Sequence, residues 1–218
     1  MELIEVMKSR HSVRQYQDKP IEEEKKAILD TLIAEINQEN NLHIQAIYDE
    51  PKCFDSFMAH YGKFSGVKNY IALIKKKSDP LDETLGYQGE RIVLKAQELG
   101  LNTCFVALTH GKSKAIIQKG EKLVCLIALG YGVTQGVSHQ SKPIEKASNA
   151  EKDSPSWFLE GVKAALLAPT AMNQQKFRFE LREDGQVKRS TKGGFYTKLD
   201  LGIANCHFEM ISGKKTIE

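Results

Sequence analysis

Three short apolar runs constrain the fold of this 218-residue chain more than any other feature. Residues 70–74, 104–108 and 123–129 are almost continuously apolar, and each has the length of a strand. The two later runs are continuous enough to predict strands that are buried on both faces. Weaker alternation predicts a further strand over residues 43–48, and Phe177, Phe179 and Leu181 alternate with charged residues, which predicts a strand with one buried face.

Helical spacing of apolar residues fills much of the chain between these strands. The pattern predicts five helices: residues 3–8, a helix opened by Pro20 and running to Ile36, residues 85–99 closing on Gly100, a helix from Ser154 to about Ala168, and residues 199–211 closing on Gly213. Asp184-Gly185 indicates a hairpin turn, and the polar stretch 138–153 reads as a linker or a surface excursion. The sequence therefore predicts an α+β fold.

Composition and charge exclude several classes of protein. Apolar residues make up 41% and charged residues 27% of the chain, which is typical of a globular protein and argues against disorder. A formal net charge of +3 is too small and too scattered to indicate nucleic-acid binding. Four widely spaced cysteines indicate neither a disulfide framework nor a metal site. No apolar run approaches the ~20 residues that cross a bilayer, and the first residues lack the apolar stretch of a secretion signal, so we expect a soluble, cytoplasmic protein.

The densest candidate anion site is the segment Arg10-His11-Ser12-Val13-Arg14. Two guanidinium groups four positions apart, with a hydroxyl between them, can surround one phosphate through charge-assisted hydrogen bonds. The alternative is an exposed helix end that carries ordinary surface arginines, and composition alone favours that alternative.

A second candidate site follows the helix that ends near Ala168. The residues from Pro169 to Gln175 form a turn with a hydroxyl and three carboxamides, and carboxamides can read the donor and acceptor pattern of a planar heterocycle. The alternative is a helix end at which Thr170 and Asn173 bond only to their own backbone.

Two further segments are weaker candidates. The apolar run 104–108 ends in a small polar loop, where backbone amides can face a ligand, although a plain strand exit explains the same pattern. Lys142, in Lys142-Pro143-Ile144-Glu145, is either a phosphate ligand or an ordinary surface lysine.

Together these segments resemble the FMN-dependent nitroreductase family over nearly the whole chain. The Arg-(Arg/His)-Ser-x-Arg-x-(Phe/Tyr) motif of that family is matched by Arg10 to Tyr16, and its Gly-Leu-x-Thr-Cys motif by Gly100 to Cys104. Its Gly-Tyr and basic-Pro-hydrophobic-Glu motifs are matched by Gly130-Tyr131 and by Lys142 to Glu145. Its Ala-Pro-Ser-x-x-Asn-x-Gln-Pro-Trp motif resembles residues 168–177.

This sequence departs from the family pattern in two places. In most members the Ala-Pro-Ser-x-x-Asn motif follows the second helix, near residues 44–51, whereas here it lies close to the C-terminus. The chain is therefore similar to a nitroreductase subgroup with this block order. Lys176-Phe177 also stands where the family has Pro-Trp.

The resemblance implies a nitroreductase-like fold, with a central, mainly antiparallel sheet flanked by helices, as a single domain over residues 1–218. It implies FMN as the cofactor. By this resemblance the phosphate and ribityl chain would be held by Arg10, the backbone of His11, Ser12, Arg14 and Lys142. The isoalloxazine edge would be lined by Pro169, Thr170, Ala171 and Asn173, and its reactive edge would meet the backbone of Leu108 and Thr109.

The resemblance further implies an oxidoreductase that passes a hydride from NAD(P)H through FMN to a small-molecule acceptor such as a nitroaromatic or a quinone. Members are typically homodimers, and the C-terminal block 154–218 could reach a partner subunit. No acid–base residue stands out: His110 and His207 are candidates, but such histidines are more often structural or solvated. The alternative function is a flavin-binding but catalytically idle protein for storage or regulation.

Overall fold

The computed structural model describes residues 2–218 and divides the chain into two compact units. The first, here called the sheet unit, contains Ser9–Leu81 and Ile92–Val137. The second, the hairpin unit, contains residues 2–8, Asp82–Arg91 and Ser138–Glu218. One helix, α4 (Asp82–Glu98), contributes residues to both units. The single domain over residues 1–218 stays a prediction.

The sheet unit is built on four antiparallel strands. In the order β1-β2-β4-β3 these strands are Gln45–Ile47, Asn69–Lys76, Glu121–Gly130 and Asn102–Val106. The three apolar runs of the sequence thus become three adjacent strands, and β2 is buried along all but its last residue. The predicted strand 104–108 ends two residues early, because pairing with β4 stops at Val106.

One face of this sheet carries the core that positions the N-terminal segment. Tyr70, Ala72 and Ile74 of β2 point to this face because side chains alternate along a strand. Val13 and Tyr16 are part of the same buried cluster. The chain from residue 10 to residue 16 is therefore anchored on the sheet through its apolar members.

The first three helices are α1 (Leu3–Ser9), α2 (Glu23–Asn40) and α3 (Phe57–Tyr61). The prediction that Pro20 opens α2 is wrong by three residues, because Ile21 is buried and Glu22 is extended, with φ −61° and ψ 141°. The helix also passes the predicted end at Ile36 and stops at Asn41, which adopts the left-handed conformation that closes a helix.

The hairpin unit combines three strands with three more helices. The strands, in sheet order, are β5 (Phe177–Leu181), β6 (Val187–Thr191) and β7 (Thr216–Ile217), and the helices are α5 (Ile144–Ala147), α6 (Ser156–Ala165) and α7 (Thr197–Ser212). The antiparallel β5–β6 pair confirms the predicted hairpin at Asp184-Gly185, whereas β7 pairs parallel to β6. The predicted α+β class is confirmed.

Two glycines allow α4 and α7 to approach closely. A Cβ atom at Gly202 would lie 1.9 Å from the carbonyl oxygen of Glu83, and one at Gly86 would lie 2.1 Å from the carbonyl oxygen of Leu199. Both carbonyl oxygens belong to the backbone, so neither can rotate away from a new Cβ atom as a flexible side chain could. The first turns of the two helices pack together because neither position carries a side chain.

The interpretation of residues 138–153 as a linker is wrong in part. Helix α5 lies within this stretch and contacts β5, and Ala147 and Ser148 are buried. Ser148 also forms a parallel bridge with Phe179. Within residues 2–218, no helix is both long enough and apolar enough to span a membrane.

Candidate functional site

The segment that carries the two early arginines lies extended beside β3 in the sheet unit. Ser12 bridges in parallel to Thr103, and the Val13 N–H donates to the Thr103 carbonyl at 3.0 Å. The hydroxyl of Tyr16 donates to the carbonyl of Val13 at 2.8 Å, and His11 Nδ1 lies 3.0 Å from the carbonyl oxygen of Gln135. These bonds fix the backbone, so the side chains of the segment start from defined positions.

Arg10, Ser12 and Arg14 all act on one buried thiol, that of Cys104. Burial raises the pKa of Cys104, and the charge of Arg14, a hydrogen bond from Ser12 and the charge of Arg10 oppose this increase. Arg10 is only 3% exposed, whereas Arg14 is exposed and its guanidinium lies 5.9 Å from the ring centroid of Phe64. The two guanidinium groups and the hydroxyl are thus brought to one region, as an anion site requires.

The loop after β3 belongs to the same unit. Leu108 is 61% exposed, and Thr109 is partly buried against Gly62, where a Cβ atom would meet the Thr109 side chain at 2.6 Å. His110 Nδ1 lies 2.7 Å from the carbonyl oxygen of Gly111. Leu108 and Thr109 therefore sit in a surface loop outside the strand.

The carboxamide turn lies in the hairpin unit and is held by its own side chains. The hydroxyl of Thr170 accepts the N–H of Gln175 at 3.1 Å, which fits the local-backbone alternative. Asn173 instead donates to the carbonyl of Gln140 at 3.0 Å and accepts from the Gln175 amide at 2.7 Å. The turn includes left-handed backbone at Met172, with φ 53°, and the Met172 side chain is 96% exposed.

A buried carboxylate missed by the sequence analysis supports this turn. Asp200, in the first turn of α7, accepts the Ala171 N–H at 2.9 Å and the Gln174 amide at 2.7 Å. Burial raises the pKa of Asp200 to about 6, although both hydrogen bonds oppose this increase. Its position between Leu199 and Leu201, within the apolar pattern of the predicted helix 199–211, is the one signal that the sequence offered.

Lys142 lies beside the turn in the hairpin unit. Its ammonium donates to the carbonyls of Gln174 and Gln175 at 2.6 and 3.2 Å, and its backbone N–H donates to the Gln175 side chain at 2.8 Å. Lys142 therefore holds the end of the turn, and it still has one N–H to offer a ligand.

The structure thus gathers the candidate residues into two groups, one in each unit. Arg10, His11, Ser12, Arg14, Leu108 and Thr109 lie in the sheet unit, and Lys142, Pro169, Thr170, Ala171 and Asn173 lie in the hairpin unit. His207 is fully buried against Glu90, which agrees with its interpretation as structural.

Comparison with protein families decides the identity of the chain. The model of the family described as "Putative TM nitroreductase" matches residues 2–212. The chain belongs to this nitroreductase family. Membership indicates an oxidoreductase and confirms the family predicted from the motifs.

Solved structures share the fold of this nitroreductase. A "putative nitroreductase" from Thermotoga maritima MSB8 is 24% identical, with a TM-score of 0.72 over 97% of this chain and 83% of that one. A "putative nitroreductase in complex with FMN" from Desulfovibrio desulfuricans is 19% identical, with a TM-score of 0.55 over 71% and 99% of the two chains.

A third structure, a "putative NADH dehydrogenase/NAD(P)H nitroreductase" from Bacteroides thetaiotaomicron, is 18% identical, with a TM-score of 0.53 over 67% of this chain and 95% of that one. A search of curated proteins found no match. At these identities the three structures establish the nitroreductase-like fold, as predicted.

Proposed function

We propose that this nitroreductase is an FMN-dependent oxidoreductase that passes a hydride from NAD(P)H to an electron acceptor such as a nitroaromatic or a quinone. The observation that carries the proposal is that the segment with Arg10, Ser12 and Arg14 is fixed beside β3, where Ser12 bridges to Thr103 and both arginine charges act on the neighbouring Cys104. One family member of the same fold was crystallised with FMN, which supports the choice of cofactor.

The donor set of the sheet unit fits the phosphate of FMN. A phosphate monoester is doubly charged near neutral pH and offers several acceptor oxygens, which two guanidinium groups and a hydroxyl can satisfy together. Arg10 is buried, so the charge that it presents is screened less by solvent than that of a surface arginine. We assign the phosphate and ribityl chain to Arg10, the backbone of His11, Ser12, Arg14 and Lys142.

The carboxamide turn fits the edge of a planar heterocycle. We assign one edge of the isoalloxazine to Pro169, Thr170, Ala171 and Asn173. Asp200 and Gln140 hold this turn in one conformation, so binding would require little further ordering of the backbone. We assign the reactive edge to the backbone of Leu108 and Thr109.

FMN, when bound, supplies the hydride chemistry, and the protein supplies position and electrostatics. The positive charges of Arg10 and Arg14 retain the cofactor, and the exposed loop at Leu108 leaves room for reductant and acceptor to bind in turn. The proposal includes a homodimer and a cytoplasmic location, in keeping with the family resemblance.

The proposal is tested on the purified protein and on three alanine variants. We expect a flavin absorbance spectrum and FMN-dependent oxidation of NAD(P)H with a nitroaromatic or quinone acceptor. Arg10→Ala and Arg14→Ala should each lose retained FMN, whereas Arg182→Ala, which removes an exposed arginine of the hairpin unit, should retain it. Bound flavin without turnover would favour the storage or regulatory alternative, and a protein that refuses added FMN would refute both.

A further inference from the structure

The hairpin unit contains a groove in which Lys142 is the one lining residue with a role in the proposal above. It has a volume of about 780 Å³, within the range of small-molecule sites. The outer face of the β5–β6 hairpin forms its floor, where Arg178 and Ser190 are cross-strand partners. The start of α5, from Pro143 to Lys146, forms one wall.

The lining of this groove is strongly basic. The lining contains five cationic side chains and one carboxylate. The cations are Lys142, Lys146, Lys176, Arg178 and Lys192, and the carboxylate is Glu145. The whole chain has a formal net charge of only +3, so the residues outside the groove carry no net positive charge. The net positive charge of the protein therefore lies in the groove, although most of its basic side chains lie elsewhere.

Three of these cations are available to a ligand. Within residues 2–218, the ammonium groups of Lys146, Lys176 and Lys192 take part in no ion pair. Arg178, in contrast, pairs with Glu180 at 3.0 Å and donates to the carbonyl of Glu145 at 3.2 Å. Ser190 also lines the groove and carries a hydroxyl group. Such a set favours a ligand with several negative charges and many acceptor oxygens.

We propose that this groove binds the phosphate groups of the reductant and selects NADPH over NADH. The identity of the ligand rests on the proposed function. Gln175 lines the groove, and its N–H donates to the Thr170 hydroxyl of the carboxamide turn. A reductant that stacks on an isoalloxazine held at this turn can therefore extend into the groove along the same unit. A 2′-phosphate adds a charge of about −1.5 to −2 to that of the pyrophosphate, which matches the excess of cations.

The decisive variant is the double substitution Lys176→Gln with Lys192→Gln, studied in the FMN-loaded protein. We expect the KM for NADPH to increase about tenfold, as loss of two screened charge contacts implies. The KM for NADH should increase less than about threefold, because the 2′-phosphate is absent, and the FMN content should not change. Lys188→Gln, on β6 of the same hairpin but outside the groove, is the matched control and should leave both KM values unaltered.

Calorimetric titration with inorganic pyrophosphate at low ionic strength tests the groove without turnover. The wild-type protein should bind pyrophosphate, and the double variant should bind it about tenfold more weakly. Equal binding by both proteins, or no binding by the wild type, would overturn the proposal. So would a loss of FMN affinity with an unchanged KM for NADPH, since the groove would then hold the flavin phosphate. A protein without flavin or turnover would refute the proposed function, and the pyrophosphate titration would still decide the groove.

Discussion

Replacing Glu90 by alanine would remove one half of a fully buried pair that joins α4 to α7. His207 Nε2 lies 2.7 Å from a carboxyl oxygen of Glu90, and both side chains are 0% exposed. His207 Nδ1 lies 3.0 Å from the Ala164 carbonyl oxygen, which can only accept, so Nδ1 carries a proton. Nε2 therefore faces the Glu90 carboxyl group as the second hydrogen-bonding atom of the ring.

The structure gives the expected cost of Glu90→Ala. Without the carboxyl group, Nε2 faces the protein interior unpaired, and the removed atoms leave a cavity. Breaking a buried pair in this way costs about 3–5 kcal/mol, which in a chain of this size lowers Tm by about 10 °C. Glu90→Gln keeps the volume and can donate an amide N–H to Nε2 of a neutral imidazole, so it should cost about 1 kcal/mol.

Urea denaturation at pH 7 measures both costs. Trp157, the sole tryptophan, lies in α6 of the same unit, and its fluorescence reports the unfolding of this region. Glu98→Ala removes a carboxylate from the surface of the same helix and should cost less than about 1 kcal/mol. The reasoning would be refuted by a cost below about 1 kcal/mol for Glu90→Ala, or by equal costs for the alanine and glutamine variants.

Three further predictions follow from single groups. Because the pKa of Asp200 is raised to about 6, the folded state holds a proton that the unfolded state releases above about pH 4. The group's contribution to the free energy of unfolding should therefore fall by up to about 3 kcal/mol between pH 4 and 6. Urea denaturation across this range should show that fall in the wild type and a flatter profile in Asp200→Asn, and parallel profiles would contradict it. The hydrogen bond from Tyr131, together with nearby lysines, lowers the pKa of Glu22 to about 2. Tyr131→Phe should move the Glu22 titration, followed by NMR, towards its ordinary value, and an unmoved titration would exclude the phenol as the cause. Gly202→Ala should destabilise the fold by at least about 2 kcal/mol, because the new Cβ meets the Glu83 carbonyl oxygen. Thermal unfolding measures whether the Tm of Gly202→Ala falls or rises. A fall is expected here, whereas helix propensity alone predicts a rise, because alanine favours a helix more than glycine does.

The strands were predictable because their signal is local. A continuous apolar run such as 123–129 indicates a strand buried on both faces, and this inference does not require knowing which strands pair with it. The run forms part of the interior strand β4. The start of α2 was not predictable in the same way. Ile21 is buried by tertiary packing, and that burial outweighs the preference of Pro20 for a first helical turn.

The candidate site was predictable only as separate segments. Arg10, Ser12 and Arg14 are close in sequence, so their joint action needed only an extended backbone beside β3. The support of the turn by Asp200 joins residues 29 positions apart, and no local pattern indicates such a contact. The basic groove was missed for the same reason, because hairpin pairing brings Lys192 next to Lys176. In the sequence these residues read as scattered charge.

The central claim is that Arg10 and Arg14 hold the phosphate of one FMN per chain. Titration of flavin-free protein with FMN, followed by flavin fluorescence, measures this most directly. We expect saturation at one FMN per chain for the wild type and a loss of at least about a hundredfold in affinity when both arginines are replaced by alanine. The claim would be contradicted if the double variant, still folded by circular dichroism, bound FMN as tightly as the wild type.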